Sequence, residues 1–342
     1  MQHIIIAGFG FMGTMHAQIY QKLKQARIVA VVDTATARAR ASMKKLGVEA
    51  PLYDDLARAL AEVEAEVVDI CLPTDLHLSN ALLAIKAGRH VFCEKPIALT
   101  SSDGWKIAKA AAEAGVTAQV GQCIRFWPEY MAFKNLLESG KAGKLVSLTL
   151  QRRSALPSHS SDHWLLDPKR SGGAAVDLHI HDTDFILYLF GMPEAVRSFS
   201  PGSEPWSSQI FTQYLYERIC VTAECGWNYP RKWGFQMAFQ AVFEDGAVEY
   251  DNGADPTITV TLGRGQKKPL PFKNPSIGSS VTGSGNVSAL GGYFNELQSF
   301  VRSLDAGRAP ETATPDEATR SLEIVLAELE SVKTRKQVSL KP

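Results

Sequence analysis

The sequence predicts an α/β protein: an N-terminal doubly wound parallel sheet, followed by a C-terminal α+β unit with an open, mostly antiparallel sheet. Three observations predict it. Short β-rich apolar runs alternate with segments of helical length as far as residue 122, the rhythm that builds βαβ units. The first run passes straight into Gly8-Phe9-Gly10-Phe11-Met12-Gly13, a glycine pattern that turns a strand into a helix. Beyond residue 122 long β runs are joined by turns too short for crossover helices, so those strands are expected to pair antiparallel. The length of 342 residues suits two domains, placed at 1–122 and 123–342, with the last helices packing back on the first.

In the first domain the strands are expected at 4–7, 28–32, 67–72, 90–93 and 117–120, and the helices at 11–24, 34–46, 54–63, 75–87 and 101–114. Cap chemistry marks several boundaries: Thr74-Asp75 and Ser101-Ser102-Asp103 stand at helix starts, and Gly47, Gly88 and Gly115 at helix ends. In the second domain a helix is expected at 128–138 and another at 176–190, with strands at 145–153, 219–225, 235–243, 247–251 and 257–262. Residues 263–289 read as a long loop rich in Gly, Ser, Lys and Pro, and 291–304 and 315–335 return to helical period. Phe235, Met237, Phe239, Ala241 and Phe243 alternate onto one apolar face, which predicts self-association through an uncovered sheet into a homodimer or homotetramer.

Composition excludes several classes. Lys plus Arg and Asp plus Glu number 36 each, so no net field exists to hold a nucleic acid or an acidic membrane surface. No apolar stretch reaches the ~20 residues of a membrane span, and no signal-peptide pattern opens the chain; a cytoplasmic protein is expected. The five cysteines, Cys71, Cys93, Cys123, Cys220 and Cys225, are sparse and mostly within apolar runs, as buried thiols of a reducing compartment would be.

The glycine turn is the first functional signal. Gly8 permits the tight turn, Gly10 lets backbone approach a pyrophosphate, and Gly13 allows close helix–strand packing at a helix N-terminus with free N–H groups. Asp33 ends the next strand 20 residues after Gly13, where a carboxylate accepts hydrogen bonds from ribose hydroxyls and repels a 2′-phosphate. The cofactor expected is NAD; Arg38 and Arg40 nearby leave NADP open.

Two further clusters carry chemistry. Glu94-Lys95-Pro96 follows a strand, and strand C-termini face the ligand crevice of a doubly wound sheet. Asp177 and His181 stand four apart behind a glycine pair, so a helix presents both on one face. A solvated lysine and a helix start enriched in acids explain each cluster separately. His179, His181, Asp182 and Asp184 could also form a metal cluster, but residues two apart lie on opposite faces of a helix, and no metal is expected.

Taken in order, GFGFMG, Asp33, Leu72-Pro73-Thr74 with His77, Glu94-Lys95-Pro96, Gly121-Gln122 leading to Arg125, and Asp177 with His181 resemble the Gfo/Idh/MocA oxidoreductase family. The match continues, more weakly, in Tyr293-Phe294-Asn295-Glu296 and in residues 323–328. The resemblance implies a Rossmann domain and a dehydrogenase of sugars, polyols or inositols. Gly8, Phe9, Gly10, Phe11, Met12, Gly13, Asp33, Leu72, Pro73, Thr74, His77, Glu94 and Lys95 would then meet the cofactor. Lys95, Asp177 and His181 would act on substrate beside the nicotinamide, with Arg125 and Trp164 contacting it, and the Lys95-Pro96 bond is expected to be cis. Arg152, Arg153 and His159 are weaker pocket candidates. One departure stands out: many relatives have glycine between the Asp and the His, where this chain has His179. The family also contains cofactor-recycling glycoside hydrolases and a non-catalytic regulator, which remain the alternatives.

Overall fold

Strand and helix alternate from the first residues because each apolar run is too short and too β-branched for a helix and is followed by an Ala-rich amphipathic segment. The computed structural model describes residues 1–157, 161–201, 208–275 and 291–340. Its first 122 residues run β1 (Gln2–Ala7), α1 (Phe11–Tyr20), β2 (Ala26–Val32), α2 (Thr36–Leu46), β3 (Leu52–Tyr53), α3 (Leu56–Glu62), β4 (Val67–Ile70), α4 (His77–Lys86), β5 (His90–Glu94), α5 (Ser101–Ala114) and β6 (Ala118–Gly121). The six strands form one parallel sheet in the order β3-β2-β1-β4-β5-β6, and the order reverses where β1 meets β4.

β3 was not expected. Its two residues carry no period of their own and pair because Val31 and Val32 present an open edge to Leu52 and Tyr53. The cap of α5 is Thr100, one residue before the expected Ser101-Ser102-Asp103, and its hydroxyl accepts the Asp103 N–H; the turn at Thr74-Asp75 has no side-chain cap, while glycines 47, 88 and 115 are left-handed as expected.

The described residues fall into two compact units, within Met1–Gln122, Ser158–Ser171 and Tyr293–Leu322 for the first and Cys123–Pro157, Gly172–Gly292 and Glu323–Pro342 for the second. In the first, α9 (Gly291–Asp305) brings Phe300 edge-on to Phe92, centroids 5.4 Å apart.

The second unit contains α6 (Pro128–Ser139), β7 (Leu145–Ala155), α8 (Ile180–Phe190), β8 (Ala195–Phe199), β9 (Gln209–Leu215), β10 (Cys220–Tyr229), β11 (Phe235–Phe243), β12 (Gly246–Asp251), β13 (Ile258–Leu262), β14 (Lys268–Pro269) and β15 (Val338–Ser339). The short α7 (Pro168–Ser171) belongs to the first unit, and α10 (Pro315–Thr334) closes the helical complement. The sheet order is β14-β13-β12-β11-β7-β10-β9-β8-β15. All pairings are antiparallel except β10 with β7. This corrects one expectation: β10 and β11, consecutive in sequence, do not pair, because β7 inserts between them. The long loop expected at 263–289 holds β14, and its remainder at 276–289 lies outside the described residues.

The apolar face of β11 is covered within its own unit. Phe239 stands 4.8 Å from Phe133 and 5.1 Å from Tyr130 of α6, ring to ring, and Tyr130 meets Phe185 of α8 at 4.9 Å. Met237, Phe239, Ala241 and Phe243 are all buried, so this face of β11 packs against α6, with α8 beside that helix.

Candidate functional site

In the first unit β1 ends in a turn that only glycine can make. Gly8 has φ +93°, and a Cβ on it would lie 2.5 Å from the Cys71 carbonyl oxygen. A Cβ on Gly13 would lie 1.9 Å from the Gly8 carbonyl oxygen. Gly10, by contrast, has nothing within 4 Å of its Cβ position. It caps α1, whose first turn has no side-chain capping bond. An open approach over the N–H groups of a helix's first turn and their partial positive charge is the cradle a pyrophosphate requires, so the residues present fit a dinucleotide.

Asp33 is buried at the end of β2. Its Oδ2 accepts the Phe9 N–H at 2.9 Å and its Oδ1 the Ala35 N–H at 2.7 Å. The Arg38 guanidinium closes on the same carboxylate at 3.0 Å. One acid thus ties the glycine turn to the loop after β2, and the half-exposed arginine covers its outer edge.

His77, expected at the cofactor, is engaged with backbone. It is 1 % exposed, with Nδ1 2.8 Å from the Pro96 carbonyl oxygen and Nε2 2.9 Å from that of Leu72. The ring therefore braces the Leu72-Pro73-Thr74 turn against the Glu94-Lys95-Pro96 turn. Leu72 and Pro73 are half-buried and Thr74 buried. The Lys95-Pro96 peptide is cis, as the resemblance implied. Lys95 is half-buried, and its N–H donates to Glu94 Oε2 at 3.2 Å. Phe11 is exposed and Met12 half-buried at the start of α1, whereas the Phe9 side chain is in the core. Trp164 is half-buried on a short helical segment, Ser161–Leu166, in which Asp162 and His163 take left-handed backbone, φ 55° and 51°.

A buried polar cluster in this unit escaped the sequence reading. His16 of α1 sits with Nδ1 2.8 Å from Asp69 Oδ2 and Nε2 3.1 Å from Glu94 Oε1, all three side chains buried. Cys71 Sγ lies 3.3 Å from the same Nδ1. The available signal was Asp69 itself, a carboxylate inside a central parallel strand that should be apolar on both faces.

In the second unit Asp177 lies on a π-helical turn, Ala175–His179, that runs directly into α8. Such single π turns are rare and concentrate at functional sites. Asp177 is half-buried and His181, four residues on, is 8 % exposed. His179 points elsewhere: it is fully buried, Nε2 3.0 Å from Glu328 Oε2 and 3.1 Å from the Tyr214 hydroxyl. His179, which stands where the resemblance places a glycine, packs inward.

The neighbouring acids are engaged as well. Arg152 pairs with Asp182 at 2.6 Å and Arg125 with Asp184 through two 2.8 Å bonds, with all four side chains no more than 1 % exposed. Arg125 also lies 4.7 Å from the Tyr188 ring centroid. The guanidiniums of Arg125 and Arg152, expected to line a pocket, sit in these buried pairs, and Asp182, Asp184 and His179 turn to three separate partners. Arg153 pairs with Glu224, and His159 lies outside the described residues. Among the described residues the one His/Cys/acid group compact enough to hold a metal is His16, Asp69 and Cys71.

Breaking a buried pair strands a charge. Asp182→Ala is expected to lower unfolding free energy by about 3–5 kcal/mol. Asp75→Ala, which removes the partner of the partly exposed Arg170, should cost about 0–1 kcal/mol. Urea midpoints of the two variants check the contrast.

A glycine-cradled helix N-terminus, an acid at the end of β2 and a lysine at the end of β5 define a dinucleotide-binding α/β protein with a second, sheet-based unit. The chain belongs to the Gfo/Idh/MocA family. The family model described as "Oxidoreductase family, NAD-binding Rossmann fold" matches residues 2–122, and that of the GFO/IDH/MocA C-terminal domain matches residues 130–249. Inositol 2-dehydrogenase of Rhizobium meliloti (strain 1021) is 27% identical over 98% of both chains. Myo-inositol 2-dehydrogenase of Thermotoga maritima is 26% identical over 91% of this chain and 90% of its own. Among solved structures, levoglucosan dehydrogenase in complex with NADH and levoglucosan superposes with a TM-score of 0.85 over 99% of both chains at 19% identity, a likeness of fold. The protein is an NAD-binding oxidoreductase. No helix among the described residues is long and apolar enough to cross a membrane.

Proposed function

We propose that the protein is a dehydrogenase that oxidises a secondary hydroxyl of a sugar, polyol or inositol and prefers NAD to NADP. The observation that carries the reading is Lys95 at the end of β5, beside the glycine cradle's own sheet, in a chain that aligns along 98% of its length with an inositol 2-dehydrogenase. The nicotinamide, when bound, supplies the hydride acceptor. His181 takes the hydroxyl proton as the carbinol carbon becomes a carbonyl, a task suited to an imidazole, whose ordinary pKa is about 6.5. The Lys95 ammonium donates a hydrogen bond to the same oxygen and stabilises its developing charge, while Asp177 orients the substrate. One CH–OH thus yields one C=O, one hydride and one proton.

The test is absorbance of reduced nicotinamide with NAD or NADP against inositols, aldoses, anhydro sugars, glucosides and sugar acids, with His181→Ala and Lys95→Met as controls. Turnover of one class, lost in both variants, supports the reading. Cofactor binding without net reduction of it on any substrate would overturn it in favour of a cofactor-recycling or sensing role.

NAD preference rests on Asp33, whose carboxylate opposes a 2′-phosphate. Asp33→Ala is expected to weaken NAD binding by about tenfold, roughly 1.4 kcal/mol, and to narrow the NAD/NADP ratio, because it also frees Arg38. Calorimetric titration with both cofactors checks this, and an unchanged ratio would count against the assignment.

A further inference from the structure

We infer that His16 is a doubly protonated imidazolium that positions Glu94, and through it the Lys95 backbone. Its protonation stands on geometry alone; its bearing on turnover rests on the role proposed for Lys95. Both ring nitrogens of His16 face carboxylate oxygens, Asp69 Oδ2 at 2.8 Å and Glu94 Oε1 at 3.1 Å. An ionised carboxylate only accepts, and a neutral imidazole donates through one nitrogen only. Nδ1 is hydrogen-bonded to Asp69, whereas Nε2 and Glu94 Oε1 stand at ion-pair distance without the alignment of a hydrogen bond; a neutral ring would set a bare Nε2 lone pair against that oxygen, so the imidazole, the strongest base present, carries the extra proton.

The ring is held in orientation by Phe92 and Tyr20, both edge-on, at 5.6 and 6.4 Å between centroids. Glu94 is held in turn. A Cβ on Gly121 would lie 3.0 Å from its Oε1, so the glycine makes room for the carboxylate, and its Oε2 accepts the Lys95 N–H. One cation thus links the helix that follows the glycine turn to β4 and to the lysine-bearing end of β5.

The contact distances also decide between a proton and a metal ion. Ligands on a tetrahedral ion with bonds of about 2.0–2.1 Å stand roughly 3.3 Å apart, whereas Nδ1 and Oδ2 are at 2.8 Å.

The groups that face the ring are Asp69 within β4, Cys71 just after it, Glu94 from β5 and Tyr20 on its own helix, with Glu296 of α9 acting on Tyr20. Burial alone would lower the pKa of His16, but Asp69 and Cys71 reverse this and carry it well above the ordinary histidine value. The ring's charge is therefore complete at neutrality and is lost, with its pairing, as pH rises through the raised pKa.

The test is ¹⁵N NMR on the deuterated full-length protein with labelled histidine and lysine. At about pH 7 both His16 ring nitrogens should carry protons, and the Lys95 amide should be protected from exchange. In His16→Asn that amide should exchange about tenfold faster, and kcat should fall about tenfold with the cofactor KM nearly unchanged. Gly121→Ala, which displaces Glu94 and leaves His16 in place, should speed the same amide and serves if His16→Asn fails to fold. A single protonated ring nitrogen in the native protein, or a Lys95 amide indifferent to both variants, would overturn the inference. Full turnover in Lys95→Met would instead remove the catalytic reading while leaving the His16 protonation intact.

Discussion

Lys95→Met is expected to reduce kcat for cofactor reduction by roughly 10²–10³-fold, with the dissociation constant of NAD almost unchanged. Methionine keeps the length and much of the volume of the lysine stem, so the half-buried side chain still packs, and what disappears is the ammonium. The loss of one donor to an oxygen that gains negative charge as it is deprotonated is worth roughly 2.7–4 kcal/mol at a preorganised site. Glu94, Pro96 and the His77 brace are untouched, so the turn should keep its shape. Stopped-flow absorbance gives the rate and fluorescence titration the affinity. A variant that loses NAD affinity in proportion to rate would show that Lys95 binds cofactor and takes no part in the chemistry.

Gly13→Ala should be the most damaging single methyl in the first unit. The added Cβ would lie 1.9 Å from a backbone oxygen, and neither that carbonyl nor the helix can yield without opening the turn. Overpacking a well-packed site costs about 1–3 kcal/mol, and a collision with backbone should reach or exceed the top of that range, with NAD binding lost as the cradle opens. Gly10→Ala separates the two effects. Its Cβ meets nothing within 4 Å, so stability should hold while affinity falls, because the methyl occupies the approach of the pyrophosphate. Urea midpoints and NAD titrations on both variants test the pair. Equal stabilities would mean that the close helix–strand contact at Gly13 is not what the glycine is for.

Much of this was legible in the chain because its signals are local. Gly8, Gly10 and Gly13 report backbone constraints within six residues, and Asp33 is read from its position at the end of the second strand. The β/α alternation recovers five of the six strands of the first sheet, missing only the two-residue β3. The second unit was less legible. β10 and β11 are neighbours in sequence but not in the sheet, since the strand between them, β7, comes from some seventy residues earlier. No local period encodes that choice; it follows from which pairing buries Leu148 and Leu150 beside Phe239 and Val221.

The site shows the same division. Lys95, Asp177 and His181 are legible as residue types at a strand end and on a helix, but the partners of the side chains around them are not. For Arg125, Arg152 and His77 the sequence carries no record of the protein groups they meet. Asp184, Asp182 and two backbone carbonyls claim them, and Glu328 and Tyr214 claim His179.

The sequence by itself determined the dinucleotide cradle, the acid that follows it, the α/β class and the family, because these depend on steric freedom and period along a few adjacent residues. Only the tertiary structure decided which charges are paired. A buried charge is tolerable only with a partner, and the partners here come from elements 30 to 150 residues apart, brought together by the burial of the apolar faces around them.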